Sequence, residues 1–446
     1  MIAYDQRTTL VRNVDVLVIG GGAAGLASAV TSSRQGLRVM LVERYGFCGG
    51  GAVAGMSGTI CGMYEASDRC DAGPVQVVRG FLDTFVTAME QKGGLGPPLR
   101  YGKTFSRVHD PFVWREVADD LLAAAGVEVV YHAMATGVLT EGGDRIEGAR
   151  LFTKQGPMEV RAKVVVDASG DADLVAMAGW PNFIGNDGRV QNPTMIFRLL
   201  GVDVDRFVSE YGTDTIMPAE VSEKIREANS GNSYKLPRVK IWLFPTTRPG
   251  ELLCNCTRVT GADGRELNTL IADDFTEAEI EGRRQAGEYA RFFREHLVGC
   301  EKSFINDSGV QVGVRQTRQA LGRTVLRNHD VLKGTKFRDG IARSPWPIEL
   351  HSGSVPKVEW LLNDFYEIPF GCFVPERGSG LLFAGRCLSA EHEAVASARV
   401  TAQCFSYGHA VGHAAALSVR EGVLPGEIDG RDLRDVLNRD GAGLDS

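Results

Sequence analysis

Val14-Asp15-Val16-Leu17-Val18-Ile19-Gly20-Gly21-Gly22-Ala23-Ala24-Gly25 is a largely β-branched apolar run that passes straight into glycines spaced GxGxxG, at Gly20, Gly22 and Gly25. The apolar run reads as a buried parallel strand. Residues 26–35 read as a helix, which Gly36 ends. Residues 38–42 read as a second strand, with Glu43 at its end. Strand, glycines, helix, strand and acid stand in the order of a dinucleotide-binding unit. Gly20 permits the tight turn, Gly22 lets a pyrophosphate reach the backbone, and Gly25 lets the helix pack closely on the strand. Ala23 and Ala24 lead into the helix, whose free N–H groups and partial positive charge suit phosphate. Glu43 is placed to accept hydrogen bonds from adenosine ribose hydroxyls and to repel a 2′-phosphate. This unit alone does not separate FAD from NAD.

The remaining composition narrows the class. A chain of 446 residues, 43% hydrophobic and 24% charged, is ordinary for a globular protein and too long for one simple core. A net charge of -7 without a long basic block argues against a nucleic-acid partner. The nine cysteines are scattered and odd in number, which fits reduced thiols and a cytoplasmic location. Cys254 and Cys256 are two apart and share a strand face. A metal half-site there competes with two small apolar residues. Lacking a second pair at ligand spacing, no metal site is expected. Residues 14–30 are broken by Gly20-Gly21-Gly22 and do not read as a signal-peptide core. No uncharged stretch reaches the roughly 20 residues a spanning helix needs, so no membrane span is expected.

Further motifs lie beyond the first unit. Glu43-Arg44-Tyr45-Gly46-Phe47-Cys48-Gly49-Gly50 follows the second strand, and Val164-Val165-Val166-Asp167-Ala168-Ser169-Gly170-Asp171 ends another apolar run. Near the other end stands Gly380-Leu381-Leu382-Phe383-Ala384-Gly385-Arg386-Cys387-Leu388-Ser389-Ala390. Together these resemble the E-R-x-G-x-x-G-G, D-A-T/S-G-D and L-x-x-A-G-R-x-x-S-A segments of the bacterial FAD-dependent oxidoreductase family, among the glutathione-reductase-like, two-dinucleotide-binding-domain flavoproteins. The resemblance covers about residues 14–180 and 310–420. It implies an α/β fold: a Rossmann-like FAD-binding domain of the glutathione-reductase type, built from discontinuous segments, with an inserted α+β substrate domain. It also implies that Arg44, Gly49, Gly50, Ser169, Gly170, Asp171, Gly385, Arg386 and Arg399 join Gly20, Gly22, Ala23, Ala24, Gly25 and Glu43 at the cofactor. Residues 126–132 look like the strand that reaches the adenine, with Met134 and Ala135 as its backbone contact. A helix over 398–420, packed closely through Gly408 and Gly412, is expected to aim its N-terminus at the flavin. Arg386 stands where the wider group carries an acid for a ribityl hydroxyl, which leaves Asp171 as the candidate for that role. Cys48 has three readings: a packing residue, a redox thiol, or a flavin attachment point. Packing is favoured, because free cysteine is usually a small buried hydrophobe.

The expected organisation is an FAD-binding domain in two parts, 14–180 and 372–422, around a substrate domain at 181–371, with a polar tail at 423–446 that is free to fray. Residues 238–244 and 251–256 read as strands and 276–296 as a surface helix. Gly313-Val314-Arg315-Gln316-Thr317-Arg318, Trp346–His351 and Tyr366–Gly371 resemble the family's G-V-R-E-T-R, P-I-D-x-H and Y-x-I-P-Y segments. They nominate Arg315, Arg318, His351 and Tyr366 as catalytic, around a carboxylate-bearing small metabolite. Arg318 pairing an interface acid, and His351 acting as a core histidine, are the structural alternatives. The expected activity is hydride transfer between that metabolite and tightly bound FAD. Flavin monooxygenation and flavin binding without turnover are the competing classes. The electron acceptor is unknown, and a homo-oligomer is compatible with the sequence.

Overall fold

The structure is a computed structural model describing residues 9–69, 71–231, 233–351 and 355–445. Strand β1 (Leu10–Ile19) runs through the glycine turn into helix α1 (Ala23–Arg34) and on to strand β2 (Val39–Glu43). β1 and β2 pair in parallel, with Val16 opposite Val39 and Ile19 opposite Val42. Residues Val16, Leu17, Val18 and Ile19 are all buried, as a strand covered on both faces requires. Strand Glu128–Tyr131 extends the sheet beyond β2, and Gly156–Asp167 flanks β1 on its other side. The result is a seven-stranded sheet of Rossmann-like α/β type.

The free edge of Gly156–Asp167 is shared by two partners. Its first half pairs antiparallel with Arg145–Thr153, and its last residues pair parallel with Leu381–Phe383. The chain enters that late strand through Gly380 at φ +78°, where a Cβ would lie 2.1 Å from the Ile146 carbonyl oxygen. Two segments far apart in sequence thereby end side by side. The Ala168 N–H donates to the Ile19 carbonyl at 2.8 Å, and the Ala384 N–H donates to the Asp167 carbonyl at 2.9 Å. All three strands present their carboxyl ends to one crevice, where open α/β sheets bind ligands.

Helix Thr401–Glu421 lies along α1. Its closeness rests on two glycines: a Cβ at Gly408 would lie 2.0 Å from the Ala24 carbonyl oxygen, and one at Gly412 2.8 Å from that of Ser28. The helix expected over 398–420 is divided. One helix ends at Ala398, Val400 is extended (φ -76°, ψ 164°), and the next starts at Thr401. The break turns Arg399 towards the crevice.

A second hydrophobic core spans Met195 to Val312. It joins a four-stranded antiparallel sheet to helix Ala272–His296, which begins four residues before the expected start. The strand expected from residue 238 begins at Trp242. Cys254 and Cys256 are buried in this core, and burial pushes both thiols well up. Residues Leu326 to Val374 contribute instead to the core of the first sheet. The polar tail does not fray: Gly430–Arg439 is a helix whose Leu433 and Leu437, one turn apart, are buried. Among the described residues the eight cysteines are free thiols, and no helix is long and apolar enough to cross a membrane. Cys70 lies outside the described residues.

One buried side chain sets an acid limit on the fold. Both ring nitrogens of His109 are buried without a hydrogen-bond partner, against the Trp114 ring. Burial, with the Arg198 charge nearby, lowers its pKa to about 3. The unfolded chain therefore takes up this proton first as pH falls. Stability should drop between about pH 6.5 and about 3, by roughly 1.4 kcal/mol per pH unit while only the unfolded form is protonated. Melts of His109→Phe across that range should show a shallower pH slope than wild type. An unchanged slope would remove His109 as the cause.

Candidate active site

The crevice is a cavity of about 260 Å³ that begins at the glycine turn. At that end the Gly21 N–H donates to Glu43 Oε2 at 2.6 Å, and the Tyr45 N–H donates to Glu43 Oε1 at 2.9 Å. Burial raises the Glu43 pKa, against these hydrogen bonds. The Gly49 N–H donates to the Gly21 carbonyl at 2.8 Å, so the two glycine turns face each other. Their glycines do different work. A Cβ at Gly20 (φ +101°) would lie 2.3 Å from the Ala168 carbonyl oxygen, and one at Gly25 1.8 Å from that of Gly20. At Gly22 the nearest atom to a Cβ is Gly50 Cα, 3.9 Å away. Gly22 is therefore bare for the sake of the cavity and Gly25 for the sake of packing.

In the middle stand Ser169, Gly170, Gly385 and Arg386. Arg386 donates to Asp171 Oδ1 at 2.7 Å and to Thr317 Oγ at 2.9 Å. Burial acts to raise the Asp171 pKa, but Arg386 and Thr317 outweigh it and hold it below the usual range.

The far end is polar. Arg315 is buried, and it donates to the Asn192 carbonyl at 2.8 Å. Arg399 donates to Gln191 Oε1 at 3.3 Å. His351 Nε2 lies 3.5 Å from Glu349 Oε1, which accepts from the Tyr101 hydroxyl at 2.8 Å. Burial, with Arg315, Arg238 and Arg399 close by, pushes His351 well below its ordinary value, so the imidazole is neutral. Burial also lowers Arg315, and lowers Arg399 to about 10. Glu349 works against the shift at both.

The cavity thus gathers Gly20, Gly22, Ala23, Ala24, Glu43, Arg44, Gly49, Gly50, Ser169, Gly170, Gly385, Arg386 and Arg399, with Arg315 and His351. Six nominated residues stand outside its lining. Gly25 is a packing position. Met134 and Ala135 lie on strand Met134–Glu141, opposite Phe152 and Leu151. Asp171 is committed to Arg386 and Thr317. Arg318 donates to Asp173 at 2.8 Å and to the Asp171 carbonyl at 2.9 Å, which is its interface-pairing alternative. Tyr366 is fully buried, and its hydroxyl shares a hydrogen bond of 2.7 Å with Ser397. Neither Arg318 nor Tyr366 faces the cavity as a catalytic group. Cys48 is buried with its thiol pushed up to about 12, and it packs against Tyr131 and the Gly21 turn. Glu349, the acid of the P-I-D-x-H-like segment, also lines the cavity, as do Tyr101, Cys61 and Cys404, which carry no motif in the sequence.

The model for the FAD dependent oxidoreductase family matches residues 15–437. The chain belongs to the FAD-dependent oxidoreductase family. Among curated proteins, it is 27% identical to the digeranylgeranylglycerophospholipid reductase of Thermoplasma acidophilum over 217 residues, 46% of this chain and 51% of that one. Identity to the Methanosarcina mazei protein of the same name is 31% over 241 residues, 52% and 51% of the two chains. The chain spans about half the length of these curated relatives. A shorter match, 25% over 190 residues, is to the NADH:fumarate oxidoreductase of Klebsiella pneumoniae, covering 36% of this chain and 20% of that one. Solved structures that share the fold include two at 15% identity. A geranylgeranyl bacteriochlorophyll reductase-like protein from Thermoplasma acidophilum has a TM-score of 0.51, covering 97% of this chain and 85% of that one. The flavin-dependent brominase Bmp2 has a TM-score of 0.50, with 96% and 84% covered. FAD is the cofactor of this family member. The cavity fits FAD: a bare glycine meets a helix N-terminus at one end, and buried polar groups converge at the other.

Proposed function

We propose that this flavoenzyme transfers hydride between FAD and a small carboxylate-bearing metabolite held at the Arg315 end of the cavity. The observation that carries this reading is a charge imbalance. Arg238, Arg315 and Arg399 act electrostatically on one another or on His351, and Glu349 is the acid that offsets all three. Among the described residues neither Arg315 nor Arg399 has a carboxylate at ion-pair distance. Buried cations are normally paired, so a second anion completes the set. The NADH:fumarate oxidoreductase among the relatives is named for a dicarboxylate, which agrees with this chemistry.

The glycine turns and the start of α1 are assigned to the pyrophosphate, Glu43 to the ribose, and Arg386 with the start of helix Thr401–Glu421 to the flavin ring. When bound, FAD supplies a ring that accepts or returns a hydride. Arg315 and Arg399 bind and orient the carboxylate. His351, neutral and with Nε2 turned to Glu349, takes or gives the accompanying proton at its other ring nitrogen, Nδ1. The late strand Leu381–Phe383 returning beside Gly156–Asp167 supports the finer placement among glutathione-reductase-like flavoproteins.

Anaerobic flavin bleaching tests the reading. A panel of small carboxylates should exchange electrons with the flavin, while neutral analogues and prenyl lipids should not. Reaction with a prenyl lipid alone would overturn it. His351→Ala should keep its flavin and slow single-turnover reduction about 10²-fold. Reduction at the wild-type rate would remove His351 as the proton-handling group.

A further inference from the structure

We propose that His409, His413 and Asp440 form a divalent metal site, for Zn²⁺ by its ligand set, that staples the C-terminal helix to the long helix over the FAD sheet. His409 and His413 are four residues apart on helix Thr401–Glu421, so their rings share one face. Their ring centroids are 5.1 Å apart, and both residues are buried. Asp440 comes from another element, the C-terminal cap of helix Gly430–Arg439. Its backbone is fixed there by N–H donation to the Val436 and Leu437 carbonyls at 3.1 Å each.

The three side chains converge on one point. Nε2 of His409 lies 2.7 Å and Nε2 of His413 lies 2.8 Å from the same oxygen, Asp440 Oδ2. All three ligand atoms lie within 4.8 Å of one another. Two imidazole nitrogens and one carboxylate oxygen are a borderline-soft donor set of the kind Zn²⁺ takes, with bonds of about 2.0–2.1 Å in tetrahedral geometry. The Asp440 side chain is 57% exposed, against 3% and 5% for the two histidines. Solvent therefore reaches the cluster from the carboxylate side, which gives an ion its entry path and a water its fourth position. Moving Asp440 outward by a fraction of an ångström opens its two contacts to the spacing of ligands around an ion. A surface carboxylate can make that movement and a buried one cannot.

The site is separate from the flavin cavity. The cavity lining on this helix ends at Cys404, five residues or about 7.5 Å of helical rise before His409. A metal here acts on the C-terminal segment. Among the described residues that segment gives no side chain to the cavity lining, and its Gly443 carbonyl accepts from Arg343 at 2.7 Å, just beyond Asp440.

The test uses the full-length, FAD-loaded, tag-free protein, stripped with chelator and titrated with Co²⁺ as the spectroscopic probe. Wild type should take up one Co²⁺ per chain with the visible bands of four-coordinate cobalt, and Zn²⁺ should displace it. Asp440→Asn alters an exposed side chain and keeps the fold. It should weaken uptake by more than the roughly 10- to 100-fold that an outer-shell change costs, with flavin absorbance unchanged. His413→Gln should do the same. Wild type that does not saturate below millimolar Co²⁺, or Asp440→Asn that binds as well as wild type, would show the cluster to be a hydrogen-bonded clasp and overturn the proposal.

Discussion

Gly22→Val should give a folded protein with no flavin. The local geometry separates the two effects. A Cβ at this position meets only Gly50 Cα, at 3.9 Å, so the surrounding chain does not have to move. The added isopropyl group would stand between the two glycine turns, at the mouth of α1, where a pyrophosphate must approach the backbone N–H groups. The expected loss is complete: purified protein without flavin absorbance, yet with wild-type circular dichroism and a cooperative melt. Gly25→Val is the contrast. Its Cβ would lie 1.8 Å from the Gly20 carbonyl oxygen, so it should fail at folding rather than at binding. A Gly22→Val protein that purifies with one FAD per chain would sink the assignment of this turn to the pyrophosphate.

The difference between those glycines was partly legible in the sequence. GxGxxG fixes which glycine turns, which faces the ligand and which packs, because all three roles follow from a local βα geometry. The same holds for Glu43, which closes the unit at the end of the next strand. The far end of the cavity is different in kind. Tyr101 and Glu349 meet across 248 residues, and Arg315 reaches the Asn192 carbonyl across 123. Contacts of that range leave no spacing to read. Motif adjacency also misled at Tyr366 and Arg318. Both lie within the expected segments, but one hydroxyl turns to Ser397 and one guanidinium to Asp173. The tail failed for a simpler reason. Its polar composition hid the pair Leu433 and Leu437, which is enough to dock one short helix. His409 and His413 stand at helical ligand spacing in the sequence, but their third partner comes from the far side of a loop, at Asp440.

Arg315→Met should produce a more heat-stable protein that can no longer be reduced by its substrate. Arg315 is buried, and its hydrogen bond goes to a backbone carbonyl rather than to an acid. Arg238 and Arg399 add like charge nearby, and both act to lower its pKa. Burial lowers the guanidinium's pKa, but arginine keeps its proton in proteins, so a charge is held there against desolvation. A buried charge without an ion-pair partner carries a desolvation cost that no Coulombic contact repays, and an apolar chain of similar length removes that cost. The melting temperature of the FAD-loaded variant should therefore exceed that of wild type. Catalysis should move the other way. An anionic substrate would lose its principal counter-charge, which in a desolvated site is worth about 4 kcal/mol, or about 10³ in kcat/KM. Arg315→Lys keeps the charge but not the fork, and should recover only part of this loss. The two readouts constrain each other. A variant that is destabilised and inactive would mean that Arg315 is a structural cation held by Glu349. A variant that is as active as wild type would move the carboxylate subsite away from Arg315. Only a protein that gains stability while losing reduction by carboxylates, and by nothing else, matches a cation kept unpaired for its substrate.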